Sequence, residues 1–352
     1  MRFHYYDNNG NTFLSKFDAG NNPKLYFYDK EFSSANWLCE PKESLQSLYL
    51  QRAQQLRDNY KYIILAYSGG IDSTTILETF FYNNLHIDEI IVVGALSQDS
   101  FEGSDENHNG ELYYNCFPTL NSLKLKGTKI TVCDYSLLFD KPQNLSMFNS
   151  LETKHNVLDV WMSPHHWWWH ELEKQFDIEN ACVIFGVDKP VYNWDSDLRR
   201  GFFEFPSNLV SFYGHRPSYK QQYKLNREFF YWTPDLPQIL IKQLYVVDSF
   251  FKSHVLTNTI PSYQFFNEQT KIVNRLVYSE LKNKLVFVAP KSKSTIFSLR
   301  DKFLLKKQSS EIYKDFVKFF DWLKINKPSN FVTNKDGVMV GKICKSKRYY
   351  LK

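Results

Sequence analysis

Apolar residues in the first part of the chain recur with two spacings, one helical and one typical of buried strands. Leu45, Leu48 and Leu56 fall on one face of a helix, which predicts a helix over about 43–58. A continuous apolar run follows at Tyr62–Ala66, as expected for a strand that is buried on both faces of a parallel sheet. A polar segment with two glycines and a second helical pattern come directly after this strand.

The same alternation continues along the chain. Further apolar runs predict strands at 89–94, 129–133 and 181–185, and helical spacing predicts helices around 111–123 and 164–176. Strands that alternate with helices in this way predict an α/β fold with a doubly wound parallel sheet and right-handed crossovers.

The alternation stops beyond about Arg200. The sequence is then aromatic and irregular, helical patterns return at 236–254 and 309–325, and a small strand pair is expected near 337–350. We therefore predict three units along the chain. They are N-terminal strands with a lead-in helix at 1–60, an α/β nucleotide-binding domain at 61–205, and a mostly helical, basic C-terminal lobe at 206–352.

Composition and cysteine usage indicate a soluble, cytoplasmic protein. The N-terminus lacks the apolar run of a secretory signal, and the apolar stretches fall far short of the ~20 residues that a membrane span needs. The five cysteines are scattered and form no C-x-x-C pair. This pattern favours free thiols in a reducing compartment and argues against a structural zinc site.

Charge is distributed unevenly along the chain. The whole sequence has a net charge of +5, but residues 282–352 carry +13 and residues 1–281 carry −8. A basic lobe attached to an acidic one predicts contact with a polyanion through 282–352. A solvated, lysine-rich surface is the alternative interpretation.

The segment between the first buried strand and the next helix contains the most informative chemistry. Ser68, Gly69 and Gly70 precede Asp72, Ser73 and Thr74 at the expected start of a helix. Unpaired backbone N–H groups at a helix N-terminus bind phosphate, and glycines allow the phosphate to approach closely. A carboxylate at Asp72 would repel bare phosphate and therefore indicates a Mg²⁺ ligand. The Walker A and dinucleotide-binding motifs are both absent from the sequence.

These residues resemble the SGGxDS signature of the PP-loop ATP pyrophosphatase superfamily. The stretch 43–192 is most similar to the synthetase domain of asparagine synthetase. The resemblance implies that ATP binds with Mg²⁺, that an acceptor oxygen attacks its α-phosphate, and that an amine or ammonia displaces AMP. The residues that it implies for nucleotide binding are Tyr67, Ser68, Gly69, Gly70, Asp72, Ser73, Thr74, Val93, Gly94 and Gly186, with Asp72 and Asp188 as metal ligands.

The sequence departs from that family in three ways. The motif after the fourth strand is compressed at 186–190, the glutaminase domain is missing, and no C-terminal acid/base motif identifies aspartate as the substrate. Nitrogen would therefore come from free ammonia, an amine or a separate ammonia-donating partner. Lys189 and Lys242 are candidates for stabilising the reacting phosphorus, although each also suits a surface position.

Other clusters favour less specific interpretations. His166 and His170 have metal-ligand spacing, but three neighbouring tryptophans indicate a packed helix. The scattered cysteines argue against sulfur transfer. Three hypotheses stay open: an adenylating synthetase, an enzyme that modifies a tRNA or DNA base with the same chemistry, and a non-catalytic nucleotide-binding protein.

Overall fold

A computed structural model describes most of the chain outside four long stretches. The described residues are 3–13, 19–20, 22–94, 96, 111–134, 172–173, 176–186, 190–207, 224–278, 325, 331–333, 339–341 and 343–352.

Helices and strands alternate between residues 45 and 134 of the described chain. The strands are β1 (Phe3–Tyr6), β2 (Thr12–Phe13), β3 (Lys24–Phe27), β4 (Tyr62–Ala66), β5 (Glu89–Gly94), β6 (Lys129–Asp134), β7 (Ala181–Phe185), β8 (Asn193–Asp195), β9 (Arg200–Phe203), β10 (Leu225–Phe229), β11 (Phe331–Thr333), β12 (Met339–Gly341) and β13 (Tyr349–Tyr350). The α-helices are α1 (Asp29–Ser34), α2 (Leu45–Asn59), α3 (Ile71–Tyr82), α4 (Phe117–Leu123), α5 (Gln238–Phe250) and α6 (Ser262–Tyr278). Single π-helical turns at Leu112–Cys116 and Phe251–Val255 adjoin α4 and α5.

Five parallel strands form the central sheet, in the order β10-β7-β4-β5-β6. The middle strand β4 lies between neighbouring strands and helices that shield it from water, and its Ile63, Ile64 and Leu65 are fully buried. Its apolar sequence suits this position. Leu65 lies between Ile90 of β5 and Ile184 of β7. The α/β fold and its parallel sheet are therefore confirmed.

The strand order reverses at β4. β5 and β6 extend the sheet on one side of β4, whereas β7 and β10 extend it on the other. Where the chain leaves two adjacent strands toward opposite sides, the carboxyl ends of these strands open a crevice that commonly binds ligands. The segments that begin at Tyr67, after β4, and at Gly186, after β7, both start at this edge.

The fifth strand of the sheet, β10, was not predicted from the sequence. Its residues LNREF look polar, but two of its charged side chains have buried partners. Arg227 pairs with Glu173 at 2.6 Å, and Glu228 pairs with Arg52 of α2 at 2.9 Å. The prediction that the alternation stops near Arg200 was therefore wrong, because ion pairs replace apolar contacts along this strand.

Aromatic side chains join the chain termini to the sheet. Phe205 packs against Phe27 and Phe32 with 4.7 Å between ring centroids in each pair, and Trp37 stacks on Tyr349 at 4.6 Å. The C-terminal strands pair differently from the single strand pair expected near 337–350. β12 pairs with β11, and β13 joins β9 and β8 in an antiparallel sheet.

The remaining helix predictions differ in outcome. Those at 43–58, 111–123 and 236–254 are confirmed by α2, by the π turn with α4, and by α5 with its following π turn. The predictions at 164–176 and 309–325 lie almost wholly outside the described residues. Among the helices that are described, none is long and apolar enough to cross a lipid bilayer.

Substitutions at the Arg227–Glu173 pair test whether this buried ion pair stabilises β10. Arg227→Met leaves the fully buried Glu173 carboxylate without its main counter-charge, so we expect a loss of about 3 kcal/mol in the free energy of unfolding. Adding Glu173→Leu should recover part of that loss, because no buried charge then remains. Lys224→Met, in the solvent-exposed pair with Asp177, should cost under about 1 kcal/mol. Urea denaturation measures wild type and the three variants, and a double variant no more stable than Arg227→Met would contradict this account.

Candidate functional site

The loop between β4 and α3 is closed by its own two serines. The backbone N–H of Gly70 donates to Ser68 Oγ at 3.1 Å, and Ser73 Oγ donates to the Gly70 carbonyl at 3.1 Å. The two hydroxyl oxygens lie 3.3 Å apart. The serines of the SGGxDS motif therefore hold the loop in shape and lie together at the helix N-terminus.

Gly69 is required by both its conformation and its surroundings. Its φ of +82° lies in the left-handed region, which side chains with a Cβ rarely adopt. An added Cβ would also lie 2.6 Å from the backbone nitrogen of Cys116. The loop therefore packs directly against the π-helical turn that precedes α4.

The N-terminus of α3 lies at the crevice, and its N-cap residue has no side chain that could cap it. Gly70 is the N-cap, with extended backbone angles and no side chain to accept from the following N–H groups. The first N–H groups of a helix carry partial positive charge and bind anions. This geometry makes the N-terminus of α3 a candidate anion site.

One carboxylate lies directly over this helix end. Glu111 Oε1 would be 3.0 Å from a Cβ built on Gly70. The sequence predicted a helix that begins at Glu111 but gave no sign that this side chain reaches the phosphate loop. Asp72, in the first turn of α3, supplies a second acidic residue at the same helix end.

The first turn of α3 is supported from behind by a tyrosine that sequence reasoning missed. Tyr231 Oη donates to the Asp72 carbonyl at 2.7 Å, and its ring packs against Tyr49 and Tyr278. Complete burial raises the pKa of Tyr231 well above its ordinary value, so the hydroxyl keeps its proton. The sequence did not single out Tyr231, because it lies among other aromatic residues in the stretch that follows β10.

Tyr67 and Thr74 connect the end of β4 to the start of α3. Their hydroxyl oxygens lie 3.1 Å apart, and both residues are buried. Burial raises the pKa of Tyr67 to about 12. The structure therefore places these two predicted nucleotide-binding residues beneath the loop, where they fix its shape.

The predicted residues from other strands meet the loop at the same edge of the sheet. An added Cβ on Gly186 would lie 3.2 Å from the Ser73 nitrogen, so the end of β7 touches the first turn of α3. Val93 and Gly94 end β5, next to β4. Asp188 and Lys189 lie outside the described residues, and their predicted roles stay predictions.

Lys242 has a different set of contacts from those that its predicted role requires. Its ammonium donates to Glu40 Oε1 at 2.6 Å and to the Pro41 carbonyl at 3.0 Å. Both contacts tie α5 to the segment before α2, and neither involves the loop between β4 and α3. They give Lys242 a structural role, and its catalytic role stays a prediction.

A metal ion at this site would need ligands from the substrate as well as the protein. Among the described residues, no group of three or more His, Cys, Asp and Glu side chains could hold a metal ion. Mg²⁺ commonly binds through one or two carboxylates together with substrate phosphates. The acidic residues at the N-terminus of α3 fit that mode of binding.

Gly69 gives the first test of the loop geometry. Gly69→Ala combines left-handed backbone strain with a clash against the Cys116 backbone, so we expect it to cost about 3 kcal/mol in the free energy of unfolding. Gly10→Ala is the matched control, because Gly10 has a φ of +83° but nothing within 4 Å of an added Cβ. That variant should lose only about 1 kcal/mol. Equal losses in denaturant unfolding would show that the Cys116 contact does not constrain the loop.

The Tyr231 hydroxyl gives a second test, of how the first turn of α3 is held. Tyr231→Phe removes the buried hydrogen bond to the Asp72 carbonyl together with the hydroxyl contact to Thr75, so hydrogen exchange in peptides covering 68–76 should accelerate about fivefold, equivalent to ~1 kcal/mol of local stability. Tyr49→Phe removes a neighbouring hydroxyl that bonds Val277 and Gln243 instead. Exchange in 68–76 should then stay at the wild-type rate. The same acceleration in both variants would mean that the tyrosine cluster acts only through general stability.

Comparison with known proteins assigns this chain to no family. No protein-family model matches the sequence, and a search of curated proteins finds no match. The interpretation of the site therefore depends on its residues and their geometry.

Proposed function

We propose that this chain is a PP-loop synthetase that cleaves ATP to AMP and pyrophosphate. In this proposal an acceptor oxygen is adenylated, and ammonia or an amine then displaces AMP. The single observation that carries the proposal is the uncapped N-terminus of α3 at the reversal point of the parallel sheet. Gly70 forms that N-cap, directly after a loop with the SGGxDS residues.

The strand order supports the finer fold assignment within this proposal. In chain order the five parallel strands lie in the sheet as third, second, first, fourth and fifth. This is the order of doubly wound nucleotide-binding sheets, which bind their ligands beside the first strand. A PP-loop domain has its phosphate loop at that position.

Each residue of the loop has a role that follows from its chemistry. Backbone N–H groups of the residues that follow Gly70 would bind the oxygens of the β,γ-pyrophosphate, and the Ser68 and Ser73 hydroxyls would add donors on exchanging their contacts within the loop. Asp72 and Asp188 would hold Mg²⁺. When bound, Mg²⁺ would neutralise charge that develops on the leaving pyrophosphate. Gly186 leaves room for the β7 end to approach the same turn.

The acceptor is proposed to be a small carboxylate or amide-like oxygen. Two described basic residues of the C-terminal tail have acidic partners within the chain: Lys345 pairs with Glu204, and Arg348 lies near Asp195. A polyanion would have to compete with these contacts. Base modification in a nucleic acid and non-catalytic nucleotide binding use the same loop, and the experiment below separates them.

Product analysis with Mg·ATP tests the proposal. Wild type should form AMP and pyrophosphate only when a suitable acceptor is present, from a panel of aspartate with ammonia, mixed amino acids with amines, tRNA and DNA. Asp72→Asn should lower that rate at least about 100-fold, because a charged group that acts on the reacting phosphates is lost.

Asp58→Asn is the matched control for this charge change, because Asp58 is exposed on α2. Its rate should equal that of wild type. Formation of ADP would contradict the adenylation mechanism, and tight ATP binding without turnover for every acceptor would favour the non-catalytic alternative. AMP formation that depends on tRNA or DNA, and that declines steeply with salt, would favour base modification.

A further inference from the structure

We infer that Glu111 makes the phosphate loop selective for cation-complexed over bare polyphosphate. The inference deepens the proposed function and rests on it. It assigns a role to a side chain that neither the SGGxDS motif nor the sheet topology identifies.

The first support is the position of the carboxylate. Glu111 Oε1 and Cδ would lie 3.0 Å and 3.6 Å from a Cβ built on Gly70. Gly70 is the N-cap of a 12-residue helix, so the carboxylate lies close to the helix end that would bind an anion. A negative side chain is stabilised near a helix N-terminus, and here it would lie next to the phosphate oxygens of the proposed substrate.

The second support is that this position is fixed by backbone packing. The π-helical turn Leu112–Cys116 begins directly after Glu111, and the Cys116 backbone approaches Gly69 so closely that an added Cβ would be 2.6 Å from its nitrogen. Single π-helical turns occur frequently at functional sites. The side chain is therefore carried by a segment that is packed on the loop.

The electrostatic environment agrees with this placement. Burial raises the pKa of the Cys116 thiol to about 12, and the Glu111 carboxylate adds to that rise. The negative charge of Glu111 therefore reaches the buried side of the loop. Asp72 adds a second acidic group in the first turn of α3.

These charges give opposite responses to two forms of the same ligand. Bare pyrophosphate brings several negative charges against two carboxylates in a partly buried site, where Coulomb repulsion is stronger than in water. A divalent cation between the carboxylates and the phosphate oxygens turns that repulsion into attraction. Glu111 would thus exclude metal-free nucleotide and favour the magnesium complex.

Pyrophosphate titration by calorimetry, with EDTA or with Mg²⁺, tests this inference without requiring turnover. In Glu111→Gln, which keeps the side-chain shape, metal-free pyrophosphate should bind about tenfold more tightly. Binding of magnesium pyrophosphate should be unchanged or weaker, so the preference for the complex should fall at least about tenfold. Glu111→Asp, which retains the charge, should keep most of the wild-type preference.

Glu43→Gln is the control for removing one negative charge, because Glu43 is exposed in the segment before α2. It should leave the preference unchanged, and thermal unfolding would verify that all variants are folded. An unchanged preference in Glu111→Gln would overturn the inference alone, with the proposed function intact. A wild-type protein that binds pyrophosphate in neither form would overturn the proposed function and this inference together.

Discussion

The approach of two backbone segments at Gly69 is the constraint on which the candidate site depends. The loop after β4 can lie against the Cys116 backbone only because residue 69 has no Cβ and adopts a φ of +82°. This contact sets the distance between the N-terminus of α3 and the turn that carries Glu111. Gly186 makes a similar approach from the other side, where the end of β7 meets Ser73. Positions that exclude a side chain therefore define the crevice.

Ion pairs extend the sheet where apolar residues would ordinarily do so. β10 joins β7 through a regular parallel register, although its sequence contains adjacent arginine and glutamate residues. Arg227 of β10 pairs with the buried Glu173, and Glu228 of β10 pairs with the buried Arg52 of α2. Such pairs fix one register, because a slip of one residue would move each charge to the opposite face of the sheet. Tyr231 follows this strand, so the same register positions the hydroxyl that supports Asp72.

The sequence was sufficient to predict the elements whose signals are local. β4 and β7 are continuous apolar runs and were predicted at their observed bounds, as was the glycine loop that precedes α3. β10 was missed because its stabilising partners, Arg52 and Glu173, are distant in sequence. Glu111 was missed for a related reason. Its position over Gly70 depends on how the π-helical turn packs on the loop, and no local pattern encodes that packing.

The candidate site is held by contacts with the rest of the fold, and this has an energetic consequence. The loop and the first turn of α3 together contact three separate parts of the fold: Gly69 meets the Cys116 backbone, Ser73 meets the end of β7 at Gly186, and the Asp72 carbonyl accepts from the Tyr231 hydroxyl. A loop that had to become ordered on binding would lose part of the interaction free energy to conformational entropy. Here folding has already ordered the loop, and the buried aromatic cluster behind it maintains that order. Under the proposed function, the balance of charge around the loop would therefore decide which anion binds. A helix N-terminus attracts phosphate in general, and the acidic residues beside this one would turn a general anion site into one that discriminates between ligands.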